Sequence, residues 1–97
     1  MKGIGIKKDE QKSFEWFLKS AKNQNSDAQC WVAICYQNGE NVEEKNDQIA
    51  FKWFLKSAKN GNNYAKYEVA KCYICGIGTD KNEQKALEWF LKSAETN

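Results

Sequence analysis

The chain has 97 residues, which allows one domain at most, and its lack of proline and abundance of Lys, Glu, Gln and Ala favour helices over strands or disorder. All 15 basic residues are lysine, and they are interleaved with 13 acidic residues to a net charge of +2, so the basic stripe of a nucleic-acid-binding domain is absent. No apolar run approaches the ~20 residues of a membrane span, and charged sequence follows Met1 in place of a signal peptide, so we expect a cytoplasmic protein.

The sequence repeats itself with a period close to 37 residues. Trp16, Trp53 and Trp89 mark three copies of one block, which we call the B helix, at separations of 37 and 36 residues. A second block between them, the A helix, recurs 37 residues later. This self-similarity predicts an all-α fold, an alpha-alpha superhelix or solenoid of stacked helix-turn-helix repeats. The recurring A-helix residues are Ala28, Val32, Ala33, Cys35, Tyr36 and Gly39, which return as Ala65, Val69, Ala70, Cys72, Tyr73 and Gly76.

The predicted elements are five helices in the order B, A, B, A, B. The first B helix carries a polar stripe at helical spacing, and its wide apolar remainder indicates packing on two sides. Its stripe consists of Lys12, Glu15, Lys19 and Lys22, and the third B helix repeats it as Lys85, Glu88, Lys92 and Glu95. The five helices are expected at residues 9–23, 26–38, 46–60, 63–75 and 82–95.

Polar residues and glycines at the helix boundaries support these ends. Ser26 and Gln29 have the spacing of a capping box at the start of the first A helix. Gly39 and Gly76 follow the A helices, where a left-handed residue ends a helix. The predicted N-caps of the three B helices are Asp9, Asn46 and Asn82.

The chain divides into a partial repeat at 1–25, which is a loop and a B helix, and two repeats at 26–61 and 62–97. Gly3 matches Gly76, so the first B helix lacks an A-helix partner. Neither end has the polar outer face of a terminal repeat. We therefore expect a fragment, a truncated product, or a chain that self-associates or stacks with other repeats. The residues expected to be left uncovered on the first B helix are Phe14, Trp16, Phe17 and Leu18.

This pattern resembles the Sel-one-like repeat (SLR) family, a relative of the tetratricopeptide repeat, over essentially the whole chain. The resemblance implies a scaffold or adaptor for protein–protein interaction, with no catalytic residue and no cofactor, and it does not identify the protein partner. Some bacterial relatives join the two helices of a repeat by a disulfide, but the B helices here contain no Cys. The residues that carry the resemblance are Ala28-Gln29, Ala33, Tyr36, Gly39, Ala50, Trp53-Phe54 and Lys56-Ser57-Ala58, and in the second copy Ala65, Ala70, Tyr73, Gly76-Ile77-Gly78, Lys85-Ala86, Trp89-Phe90 and Lys92-Ser93-Ala94.

The cysteines are predicted to be structural thiols. Cys72 and Cys75 form a C-x-x-C pair at the end of a helix, where the helix dipole disfavours a thiolate. Cys30 and Cys35 lie on different faces of one helix, and the chain has no His, so a zinc site is not expected.

The A-helix positions that change between repeats are the candidate partner-binding surface. In solenoids of this kind the A helices line the concave side, and Trp and Tyr are frequent anchors of protein interfaces. Two interpretations of Trp31 stay open, namely partner binding and packing against a neighbouring repeat outside this chain. A purely structural spacer within a larger protein is the alternative function. The candidate surface comprises Trp31, Ile34, Tyr64, Tyr67 and Lys71.

Overall fold

The computed structural model describes residues 8–95, which form five helices and no strand. The helices are α1 (Lys8–Lys22), α2 (Ser26–Asn38), α3 (Asp47–Lys59), α4 (Asn63–Cys75) and α5 (Glu83–Glu95). These bounds agree with the predicted ones to within one residue, which confirms the fold class. Thus α1, α3 and α5 are the B helices, and α2 and α4 are the A helices.

Each helix packs against the helix next to it in the sequence. The turns from a B helix to an A helix take only three residues, 23–25 and 60–62, so consecutive helices run antiparallel. The main core lies between α2, α3, α4 and α5 around Phe54, which is completely buried. A smaller cluster joins α1 to α2, and Trp53 packs against both clusters. The central helix α3 is therefore covered on two sides.

Asparagine side chains cap the helices. The side chains of Asn25, Asn46 and Asn62 each accept a hydrogen bond from a backbone N–H three residues later, and Asn82 does the same before α5. This confirms Asn46 and Asn82 as caps.

Two of the predicted caps are wrong. The N-cap of α2 is Asn25, so Ser26 is already the first helical residue and forms no capping box with Gln29. Asn has at least the N-cap preference of Ser, and here it stands one residue earlier. The helix α1 begins at Lys8, which places Asp9 inside the helix.

The A helices end at glycines in the left-handed region, as predicted, with φ of 73° at Gly39 and 69° at Gly76. A further glycine, Gly78, lies in the loop 76–82 with φ of 74°. A Cβ atom at this position would clash with the carbonyl oxygen of Asp47. Only glycine lets this loop approach the start of α3 so closely.

The two terminal B helices are less covered than α3. Leu87 of α5 is 59% exposed, whereas its counterpart Phe51 of α3 is 8% exposed, because α4 covers α3 on that side and Tyr73 contacts the Phe51 ring. On α1, the expectation that apolar side chains are left uncovered holds for Trp16, which is 63% exposed. It is wrong for Phe14, Phe17 and Leu18, which are half-buried and pack against the cluster that joins α1 to α2. Both phenylalanine rings contact Trp31 of α2.

Candidate functional site

The five residues of the candidate surface lie on the two A helices, Trp31 and Ile34 on α2 and Tyr64, Tyr67 and Lys71 on α4. The three residues of α4 are exposed, whereas the two of α2 are half-buried. The structure thus places the predicted residues in two different environments.

Trp31 packs against α1. Its ring centroid lies 4.4 Å from that of Phe17 and 6.0 Å from that of Phe14. Phe14 and Phe17 of α1 and Trp31 of α2 thus pack together where the two helices face each other. Ile34 packs against the main core. The contacts of Trp31 are therefore made with a helix of this chain, a possibility that neither sequence interpretation included.

The residues Tyr64, Tyr67 and Lys71, which we call the tyrosine surface, form an exposed patch on α4. Tyr64 is 50% exposed and Tyr67 is 45% exposed. Each ring also contacts a phenylalanine, Tyr64 that of Phe54 at 6.4 Å and Tyr67 that of Phe90 at 5.9 Å. The Lys71 ammonium lies 5.3 Å from the Tyr67 ring centroid. These contacts hold the rings while leaving about half of each free.

Glu68 supports this patch from below. Glu68 is only 4% exposed. Its carboxylate accepts a hydrogen bond from Gln37 Nε2 at 3.2 Å and forms an ion pair with the Lys71 ammonium at 3.6 Å. Burial, followed by a hydrogen bond to Glu68, raises the pKa of Tyr64 above its ordinary value. A buried carboxylate needs such partners to offset its desolvation. The bond to Gln37 also links α4 to α2.

Sequence reasoning did not identify Glu68 as part of the site. It occupies the position of Trp31 one repeat later, and the change from an aromatic to an acidic residue was visible. What the sequence could not show is that Gln37, on the preceding A helix, lies within hydrogen-bonding distance of it.

The three buried cysteines, Cys30, Cys35 and Cys72, are not equipped for nucleophilic chemistry. Burial, with further contributions from nearby carboxylates, raises the pKa of Cys30 and of Cys72 to about 11. Burial also raises the pKa of Cys35, and Cys75 alone among the four is exposed. All four are free thiols in the structure. Within residues 8–95 no cluster of three or more His, Cys, Asp or Glu side chains could hold a metal ion, and none of the five helices has the length and apolar character needed to cross a membrane.

Comparison with known proteins places this architecture in a family. The sequence model of the Sel1 repeat matches residues 1–25, 26–62 and 63–96. Among solved structures, a Sel1 repeat protein from Oxalobacter formigenes is 32% identical with a TM-score of 0.88, over 99% of this chain and 39% of its own. A protective antigen present in uropathogenic Escherichia coli strains, with an SLR fold, is 25% identical with a TM-score of 0.84, over 90% of this chain and 18% of its own.

A third structure, the cysteine rich protein B of Helicobacter pylori, shares the fold with a TM-score of 0.83 at 23% identity, over 87% of this chain and 62% of its own. This chain therefore spans less than two thirds of each of these three proteins. A search of curated proteins gave no significant match. Three consecutive repeat matches cover nearly all of the sequence, and the chain belongs to the Sel1 repeat family.

Proposed function

We propose that this chain is a protein–protein interaction module that binds its partner through the tyrosine surface of α4. Sel1 repeats generally serve as protein–protein interaction modules. The observation that supports this surface is the pair of half-exposed rings, Tyr64 and Tyr67, fixed beside a buried carboxylate. The proposal assigns no catalytic role to any residue.

The tyrosine surface is preorganised for binding. Tyr64 and Tyr67 are three residues apart on one helix, so they share a face. Tyrosine offers a large apolar area and a hydroxyl at low conformational cost, and rings already held in place lose little entropy on binding. Glu68 holds Lys71 and Tyr64 from below. A partner that covers both rings therefore meets a surface that needs little rearrangement.

Trp31 and Ile34 remain candidate binding residues, but they are half-buried on α2 and lie outside the tyrosine surface. Their role in binding is harder to test, because Trp31 also packs against Phe14 and Phe17. Replacing Trp31 would loosen α1 as well as alter the surface. The decisive variants are therefore those of the exposed tyrosines.

The experiment starts from affinity capture with the intact chain, followed by purification of the captured partner and titration by isothermal calorimetry. The double variant Tyr64→Ala/Tyr67→Ala is expected to weaken binding at least about tenfold, since interface aromatics commonly contribute ~1–4 kcal/mol each. Trp16→Ala is the matched control, because Trp16 is exposed on α1 outside the tyrosine surface. Equal affinity of the wild type and the double variant, both folded by circular dichroism, would contradict the proposal.

A second candidate is a structural spacer within a longer repeat array. The exposure of Leu87, at a position that is buried in α3, supports it, because a further A helix would cover that side chain. A spacer has no partner of its own. If the intact chain captures no protein that the double variant fails to capture, the spacer function is favoured.

A further inference from the structure

The outward stripe of the middle B helix differs from that of its two neighbours. In α1 and α5 the first two stripe positions are a lysine and a glutamate, Lys12 and Glu15 in α1. In α3 the same positions are Ile49 and Lys52. The chain supplies three copies of this helix, so the flanking copies show what a solvated stripe looks like here. The middle copy departs from it at both positions.

This departure costs helix stability. In α1, Glu15 lies four residues before Lys19, which is the favourable orientation of an intrahelical ion pair, and α5 keeps the pair. In α3 the equivalent residues are both lysines, Lys52 and Lys56, which repel each other. Ile49 in addition exposes apolar surface where the flanking helices carry lysine. A solubilising stripe requires neither change.

The structure shows a groove along this stripe. It has a volume of about 540 Å³. The apolar side chains in it are half-buried, and the three lysines are exposed. The Lys56 ammonium lies 5.6 Å from the Trp53 ring centroid. The groove is lined by Ile49, Lys52, Trp53, Leu55, Lys56 and Lys59.

The positive charge of the groove is not neutralised within the described part of the chain. The salt bridges Lys45–Asp47 and Lys71–Glu68 include none of the three lysines of the groove. The helix α3 contains one acidic residue, Asp47, at its first position, where it pairs with Lys45. Three lysines over an apolar floor therefore face solvent without an anionic partner from residues 8–95.

We propose that this groove binds an acidic amphipathic helix of a partner protein, with carboxylates facing Lys52, Lys56 and Lys59 and an apolar side chain on Trp53 and Leu55. The lysines lie four and three residues apart, a span of about 10 Å along the helix axis. Acidic residues at the same two spacings on a partner helix match that span. The groove shares no residue with the tyrosine surface, so this site is independent of the proposed function.

Charge and shape favour a peptide over the other anionic ligands. A bilayer would also meet the neighbouring helices, whose stripes contain glutamates and carry less net positive charge than that of α3. Nucleic-acid binding normally uses arginine and a longer basic face, and this chain has no arginine. A groove with an apolar floor suits a ligand that alternates carboxylates with an apolar side chain.

The test titrates the full chain against a fluorescein-labelled helical peptide that carries three glutamates at spacings of four and three residues and one leucine between them. Fluorescence anisotropy reports binding. The variant Lys52→Glu/Lys59→Glu is expected to weaken binding about tenfold, and each reversed charge contributes roughly half of this change in binding free energy. The matched control Lys12→Glu/Lys85→Glu makes the same change in net charge on α1 and α5. Both variants should fold, because the flanking helices already hold glutamate at the position of Lys52.

Weakened binding in the α3 variant with unchanged binding in the control supports the proposal. Equal weakening in both variants would overturn it, because net charge alone would then explain the affinity. Binding to phosphatidylserine vesicles that is as tight as to the peptide would overturn it in favour of a lipid surface. Equal binding of a peptide with the same residues in scrambled order would also overturn it, because the spacing would then play no role.

Discussion

The buried amide of Gln29 accepts a hydrogen bond from Asn60 Nδ2 at 2.9 Å, and this contact ties the start of α2 to the end of α3. The Nε2 atom of the same Gln29 side chain donates to the carbonyl oxygen of Ala21 at 3.0 Å. One side chain thus links the ends of two B helices to the A helix between them. The same Ala21 carbonyl, at the end of α1, also accepts a hydrogen bond from the backbone N–H of Gln24 at 3.1 Å.

Replacing Gln29 should therefore destabilise the whole stack. Gln29→Ala removes two hydrogen bonds of a side chain that is only 1% exposed. At about 0.5–1.5 kcal/mol for each bond, we expect the free energy of unfolding to fall by about 1–3 kcal/mol. Asn60→Ala should cost less, and the double variant should cost less than the sum of both. Urea unfolding followed by circular dichroism measures all three. The control is Gln84→Ala, an exposed glutamine of α5, and an equal effect of Gln29→Ala and Gln84→Ala would show that the bridge contributes nothing.

Two glycines with positive φ allow backbone strain to be separated from steric crowding. Gly78 faces the carbonyl oxygen of Asp47, whereas Gly61 has no atom within 4 Å of an added Cβ. Gly61→Ala should cost only the ~1–2 kcal/mol of a left-handed alanine. Gly78→Ala should cost clearly more, because the loop 76–82 must also move away from α3. Thermal unfolding of both variants provides the comparison, and equal melting temperatures would refute the close approach.

The four thiols should react at different rates. With iodoacetamide at neutral pH, Cys75 should be modified first, because it is exposed while Cys30, Cys35 and Cys72 are buried. In denaturant without reductant, mass spectrometry should find all four modified, since we predict that no disulfide forms. Fewer than four modified cysteines under denaturing conditions would reveal a disulfide and change the interpretation of the compartment.

Stability should decline in alkaline solution through Cys30 and Cys72. Their pKa is raised from 9.0 to about 11 by burial, so the folded state holds a proton that the unfolded state releases. The stabilisation that results is fully present below about pH 9 and is lost as pH rises to about 11. It contributes on the order of 1 kcal/mol or more per thiol to the free energy of unfolding. Urea unfolding across this range should show a flatter pH dependence for Cys30→Ala/Cys72→Ala than for the wild type. Cys75→Ala, the exposed control, should keep the wild-type slope.

The terminal helices should open before the centre. Trp16 and Leu87 are exposed at positions that are more covered in α3. Apolar surface that stays exposed to water loses roughly 25 cal/mol per Å² of hydrophobic stabilisation. Hydrogen exchange is therefore expected to be faster in α1 and α5 than in α3, and sedimentation should show association at high concentration. A strictly monomeric chain with α1 as protected as α3 would contradict this expectation.

The repeat explains why the helix bounds could be predicted so closely from the sequence. Three aligned copies of the B helix and two of the A helix gave several independent signals for each end, such as Gly39 and Gly76. The cap of α2 was predicted wrongly, because Asn25 and Ser26 are adjacent residues with similar capping preference. The structure shows instead that Gln29 bonds to Asn60, which is 31 residues away. A local motif carries no information about such a partner.

The candidate site was only partly predictable for a related reason. Exposed Tyr64 and Tyr67 were recognised as positions that vary between repeats. Whether a varying residue is exposed depends on the helix opposite it, and Trp31 meets the two phenylalanines of α1 whereas Glu68 meets Gln37 of α2. The exposure of Trp16 beside the covered Phe17 likewise depends on which side of α1 the helix α2 occupies.

Because each helix packs mainly on its neighbours in the sequence, contacts are formed between segments that lie close along the chain. Chains with such low contact order fold quickly, and in repeat arrays structure spreads from one unit to the next. The helix α3 is the B helix with a partner on each side, so folding should begin in the α2–α3–α4 region and reach α1 and α5 last. Substitutions at Phe54 should then slow folding, whereas substitutions at Leu87 should leave the folding rate almost unchanged.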